Sequence, residues 1–211
     1  FKNVEVYSID EYYPYGKGEP QSRNKILHTS LLNAVDIKEE NIHIPDGSVP
    51  GDKISAYCEE YDKMARNLDM LVIGMGEAGQ VGFNEAGTTP SSRTRTVLLS
   101  YQSRKRQGKN FNGDFKHTPS EAITVGIDTM MSAKKIILMA WGEDKANAVK
   151  QVVEHKADSD FPASFLQNHK DITCYVDETA ASLLTRVVSP WLVGPCEWTR
   201  KFIRKAVVWL C

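Results

Sequence analysis

The sequence predicts an α/β fold, a mostly parallel sheet flanked by helices. Short apolar runs such as Met70–Ile73, Lys135–Trp141 and Ile172–Asp177 have the length of buried parallel strands. Longer stretches with apolar residues at helical spacing alternate with these runs, and that alternation is the pattern of a parallel sheet with crossover helices. A glycine turn follows one of the runs directly, where ligand loops of parallel sheets are found.

Phe1–Ile9 reads as the opening strand, and Asp10-Glu11 then falls just past its carboxyl end, on the ligand side of a parallel sheet. On position alone Asp10 and Glu11 serve equally as an acidic turn before Pro14 or as ligand-facing carboxylates. Gly16–Pro20 is a loop. Ser22 is a good N-cap for a helix over Arg23–Ala34, with Ile26, Leu27, Leu31, Leu32 and Val35 at helical spacing. Ile42–Gly47 is a short extended piece closing in a turn, where His43 reads as a surface or packing residue. Asp52–Leu68 reads as a second helix, with Ile54, Tyr57, Cys58 and Tyr61 on one face, leading into the Met70–Ile73 strand.

The stretch Leu68–Arg95 holds the densest chemistry. Gly74, Gly76 and Gly79 stand in G-x-G-x-x-G spacing, followed by Phe83-Asn84-Glu85, Thr88-Thr89 and Ser91-Ser92-Arg93-Thr94-Arg95. Glycines let a ligand approach the backbone, and arginine pairs with phosphate through two parallel hydrogen bonds. Together these residues describe the floor of a site for an anionic, hydroxyl-rich ligand. The same spacing is the dinucleotide fingerprint, but that requires a helix opening inside the motif and an acidic residue about 20 positions on. Val81–Gly87 carries two glycines and runs into Gly-Thr-Thr-Pro, so a dinucleotide-binding oxidoreductase is the weakest reading.

Beyond this stretch, Thr94–Tyr101 reads as a strand and Gln102–Lys116 as a solvated basic loop carrying Arg104, Lys105, Arg106 and Lys109. Ala122–Ile127 and Lys135–Trp141 read as strands, the second apolar enough to be central. Gly142 opens a helix over Glu143–His155 with Val149, Val152 and Val153 as its buried face. Lys145, in the first turn of that helix, is disfavoured by the dipole unless an anion sits there. Phe161–Gln167 reads as a short helix and Ile172–Asp177 as the last strand. A Pro-Gly-punctuated connector and an amphipathic helix close the chain.

Composition narrows the function classes. With 26 Lys+Arg against 27 Asp+Glu, the net charge of −1 points to neither nucleic acid nor an anionic membrane as partner. No apolar run approaches the ~20 residues of a membrane span, and no signal peptide opens the chain. The four cysteines form no C-x-x-C, and the five histidines show no metal-ligand spacing, so no metal site is expected. This usage fits a reducing cytoplasm.

The glycine spacing followed by Phe83-Asn84-Glu85, Thr88-Thr89 and Ser92-Arg93-Thr94-Arg95 resembles the glucosamine-6-phosphate deaminase/isomerase signature, roughly G-x-G-x-D-G-H-I-A-F-N-E-P-x-S-S-x-x-S-R-T-R. The Asp10-Glu11-Tyr12 element, Thr124-Val125-Gly126 and the Trp141-Gly142-x-x-Lys145-Ala146 run are similar to family elements as well. The sequence departs from the signature where its Asp and His would stand: here they are Ala78 and Gln80.

The resemblance covers residues 1 to 188 in one register. It implies a Rossmann-like deaminase domain lacking its front, including the phosphate loop, with residues 189–211 as connector and helix. Both ends read as cut, and Pro190–Trp198 resembles the junction of bacterial fusions that attach a deacetylase-like domain. The resemblance also implies conversion of an amino sugar phosphate to a ketose phosphate plus ammonia, without metal or organic cofactor. Asp10 corresponds to the proton-transfer base, Glu85 to the residue that holds or recharges the ring-opening group, and Gln80 to the ring-opening position itself. Gly74, Gly76, Gly79, Lys109 and Lys145 correspond to substrate and phosphate contacts, and Thr88 and Arg95 to a second, allosteric phosphate site. A homo-oligomer and a fused downstream domain are the implied partners beside the sugar phosphate. Loss of the Asp and His leaves a second reading, a catalytically silent sugar-phosphate-binding module that regulates an attached domain.

Overall fold

A computed structural model describes residues 1–211. Its centre is a parallel sheet of β4 (Leu71–Gly74), β7 (Ile136–Ala140) and β8 (Ile172–Val176), with β7 in the middle as its apolar run predicts. Ile73, Ile136, Leu138 and Ala140 turn to one face, where Tyr61 of α2 (Ile54–Met64), Met130 of α4 (Ile127–Met131) and Val149 and Val152 of α5 (Ala146–Glu154) complete the main core. Each fully buried Ile, Leu or Val contributes about 1.5–3 kcal/mol, so this face carries most of the stability. The opposite face is open: Val72 and Tyr175 are more than half exposed.

A second, antiparallel sheet has β6 (Glu121–Thr124) between β2 (Asp10–Tyr13) and β5 (Arg95–Leu98). Tyr12, Phe83, Leu99, Phe111 and Ala122 form a small core against it. A two-stranded parallel pair, β1 (Val6–Tyr7) with β3 (Ile42–His43), completes the strands.

Several sequence expectations change in the folded chain. The opening strand is only β1, because Asp10–Tyr13 itself pairs with β6; Asp10 therefore begins a strand instead of following one. The predicted helix over Arg23–Ala34 splits into α1 (Arg23–Ser30) and a 3₁₀ turn at Leu32–Ala34, with only Leu32 buried. Its cap is as expected, Ser22 Oγ accepting from Lys25 N at 3.0 Å. The expected basic loop after β5 is instead α3 (Tyr101–Gln107) followed by a 3₁₀ turn at Gly108–Phe111. Ser100 caps α3, and Arg104 donates to the Phe115 and Thr118 carbonyls while stacking on Phe115. Val153 points outward, half exposed, since α5 buries only Ala146, Ala148, Val149 and Val152. His43 stacks on Tyr7 with ring centroids 4.3 Å apart, a packing role. The chain closes with α6 (Thr185–Val188), a 3₁₀ turn at Pro190–Leu192 and α7 (Arg200–Leu210).

Candidate active site

The antiparallel sheet lines up three residues that sequence position alone keeps far apart. Asp10 and Arg95 each stand directly opposite Thr124 of β6, and side chains paired this way share one face. The segment after the glycine turn crosses this row. Gly82 lies over its β2 end, with φ +56°, and a Cβ there would come 2.9 Å from Thr124 Oγ1 and 3.7 Å from Asp10 Oδ2. Phe83 N donates to Thr124 Oγ1 at 3.1 Å. Asn84, fully buried, donates to the Val81 and Val125 carbonyls and accepts from Arg95 Nη1 at 3.0 Å over the β5 end. Glu85 follows, its Oε2 accepting from Ser100 N at 3.2 Å while Oε1 is buried with no partner.

Asp10 is buried and its carboxylate is divided in use. Oδ1 accepts from Arg23 Nε at 2.9 Å, and Oδ2 accepts no hydrogen bond from the protein. The Arg23 guanidinium sits 5.1 Å from the Tyr12 ring centroid and 5.5 Å from that of Phe83. Burial works against its charge, but the Asp10 carboxylate beside it more than offsets this, and the pKa stands above the usual guanidinium value. Burial likewise pushes the Tyr12 hydroxyl up to about 12, so it stays protonated.

Glu11 determines where Arg23 can be. Its carboxylate accepts from the Tyr12, Arg23 and Asn24 amides at 2.8, 2.9 and 3.1 Å, clamping the start of α1 onto β2. Burial raises its pKa, with the three amides opposing. No sequence motif marks Arg23, although a signal was present. A cation in the first turn of a helix is unfavourable unless an anion meets it, the reasoning applied to Lys145.

The glycine turn is closed on itself. Gly76 N donates to Gln80 O at 2.9 Å and Gly79 N to Gly76 O at 3.0 Å, so neither amide is free for a ligand. The Gln80 side chain curls back, Oε1 accepting from Ala78 N at 3.0 Å, and fills the space where Gly76 would carry a Cβ. Gly79 takes φ +70° against Phe161. Only Gly74 faces open space on the side a Cβ would take. Two of the three glycines thus make room for the protein's own side chains. Glu77 in the same turn accepts from Arg106 Nη1 at 2.6 Å, tying α3 to it.

With this geometry in view, comparison with known proteins is decisive. The family model described as glucosamine-6-phosphate isomerases/6-phosphogluconolactonase matches residues 1–175. The chain belongs to this family. A glucosamine-6-phosphate deaminase-like protein of Bacteroides thetaiotaomicron is 41% identical over 214 residues, spanning 100% of this chain but only 32% of that protein. The chain thus covers about a third of that relative's length. The glucosamine-6-phosphate deaminase of Halalkalibacterium halodurans is 36% identical, across 85% of this chain and 73% of its own. A solved monomeric glucosamine-6-phosphate deaminase superposes with a TM-score of 0.83 at 34% identity, covering 87% of this chain and 76% of that one. The fold is that of the glucosamine-6-phosphate deaminases, and the alternating strands and helices were the correct guide to it.

The residues matched to the family's phosphate contacts stand on separate elements. Lys109 is exposed in the 3₁₀ turn after α3. Lys145 pairs with the adjacent Asp144, holding that carboxyl below its usual range. Thr88 Oγ1 donates to the Glu85 carbonyl at 2.7 Å, and Arg95 is half-buried against Asn84 and the Arg93 carbonyl. No three His, Cys, Asp or Glu residues gather where they could hold a metal ion. No helix is long and apolar enough to cross a membrane.

Proposed function

We propose that this chain acts as a deaminase/isomerase of the glucosamine-6-phosphate type, a hydrolase of the C–N bond of an amino sugar phosphate. In the opened sugar, Asp10 Oδ2 removes the C2 proton. The C–H electrons form a double bond between C1 and C2, and the carbonyl pair moves to oxygen. Return of the proton to C1 leaves an imine at C2, which water hydrolyses to the ketone as ammonia departs. The sum is redox-neutral, water in and ammonia out. Within this reading Glu85 handles the ring oxygen or its proton, since Oε1 is buried without a donor. Gln80 contributes at most a hydrogen bond, because a carboxamide does not shuttle protons near neutral pH. Lys145 and Lys109 serve the phosphate.

The observation that carries this reading is the division of Asp10. One oxygen is fixed by Arg23 and the other, free of protein donors, faces a glycine. A general base needs such an unoccupied oxygen within reach of the proton it takes. The test is ammonia release from glucosamine 6-phosphate by full-length protein, wild type beside Asp10→Asn. A measurable rate lost in the variant supports the reading. Equal rates for the two overturn it.

A further inference from the structure

We propose that Arg23 is a second catalytic group of this site, the donor for the negative charge that forms on substrate oxygen as Asp10 takes the neighbouring proton. This rests on the reading of Asp10 as base. A guanidinium has five N–H donors in a rigid fork. Here Nε is engaged by Asp10 Oδ1, and neither amino group has an acceptor in the protein. The side chain is 24% exposed, so these donors are not sealed off, while Tyr12 and Phe83 flank the guanidinium and limit water around it. In such a setting a donor acts more strongly on developing charge than it would in water.

The chemistry requires a donor at this place. Removing a proton beside a carbonyl sends the carbonyl pair onto an oxygen attached to the next carbon, within a few ångströms of the base. Arg23 is the cation bonded to the candidate base, and Gln80 and Ala78 bring none. The substrates that fit this pair are open-chain α-hydroxy or α-amino carbonyl compounds, whose enediolate or enolamine anion Arg23 N–H groups would hold. Asp10 then returns the proton to the adjoining carbon, and no electron acceptor is needed.

Full-length wild type, Arg23→Ala and Arg23→Gln are compared by calorimetric binding of two probes. One is a five-carbon hydroxamate phosphate, a planar mimic of the enediolate. The other is glucitol 6-phosphate, a neutral-headed analogue. Wild type should prefer the hydroxamate by roughly 10–100-fold, the worth of one charge-assisted hydrogen bond. Both variants should lose that preference, and glucitol 6-phosphate affinity serves as the control for a merely structural role. Arg23→Gln, which still donates to Asp10, decides the matter if the alanine variant does not fold. An undiminished preference in the folded variants overturns the proposal, as does a wild type without one. Deuterium exchange at substrate C2 by Asp10→Asn separates the two readings. Exchange that persists in that variant defeats the base. Its loss, with the hydroxamate preference intact in the Arg23 variants, defeats Arg23 alone.

Discussion

Asp10 Oδ1 and Arg23 Nε, 13 residues apart in sequence, meet at 2.9 Å because Glu11 clamps the first turn of α1 to the strand that carries Asp10. The arrangement orients one carboxylate through two neighbours, an arginine on its side chain and a second carboxylate beneath that arginine's backbone. Asp10 Oδ2 is left as the one oxygen of this cluster without a protein donor.

Asp10→Asn should reduce ammonia release by about 10²-fold or more, the usual worth of acid–base assistance. Calorimetry with glucosamine 6-phosphate should show that binding persists. Loss of binding in step with rate would mean that Asp10 holds the ligand and does not act on it.

Wild-type turnover of glucosamine 6-phosphate should be weak, since Gln80 is folded onto the Ala78 amide where the family signature has a histidine. Ala78→Asp with Gln80→His should raise it. Gln80→His alone should help less, because an imidazole without its orienting carboxylate can hold the wrong tautomer. Wild-type rates equal to those of the double variant would show that Glu85 or another group opens the ring unaided.

An N-acetylated sugar phosphate should not activate the protein. Arg95 Nη1 is taken by Asn84 Oδ1 and the Arg93 carbonyl, and Val97, two residues on, adds no charge for an anion there. The check is the velocity curve with and without activator. A sigmoidal curve made hyperbolic contradicts the expectation.

The glycines of the turn should respond unequally to alanine. Gly79→Ala places a side chain at φ +70° and within 2.8 Å of Phe161, so a loss of about 1–3 kcal/mol in urea unfolding is expected. Gly74→Ala meets open space and should change stability by less than about 0.5 kcal/mol. Equal costs at the two positions would refute the distinction.

Asp62 of α2 is a buried junction with α4 and with Thr94, the residue just before β5, accepting from Thr94 N and Thr94 Oγ1 at 2.9 Å each and from Thr129 Oγ1. Burial acts to raise its pKa, but the Thr129 and Thr94 donors win and it lies below the usual carboxylate value. A depressed folded pKa stabilises above the unfolded value, and the contribution is lost as pH falls through the folded one. Asp62→Asn should therefore cost about 2 kcal/mol at neutral pH, and the gap to wild type should close in acid. Urea titrations at neutral and acidic pH measure it. A gap independent of pH would show that the cost is steric.

The sequence by itself determined the α/β class, the central place of β7, the cap at Ser22 and the family. All of these rest on local periodicity or contiguous motif residues. Asp10, Glu85 and the glycine turn were also legible as candidates, because their chemistry is written in residue type and spacing. Only the tertiary structure decided which partners those residues have. Antiparallel pairing of β2 and β5 on β6 put Asp10, Thr124 and Arg95 in one row, a register between segments more than 80 residues apart in the case of Asp10 and Arg95. Gly76 and Gly79 looked open to a ligand, yet Gln80 and Phe161 fill the space beside them. Arg23 had no motif to announce it, and its place beside Asp10 follows from Glu11 holding α1 against β2. Periodicity reports which way a side chain points along its own element; it carries no information about the element that packs against it.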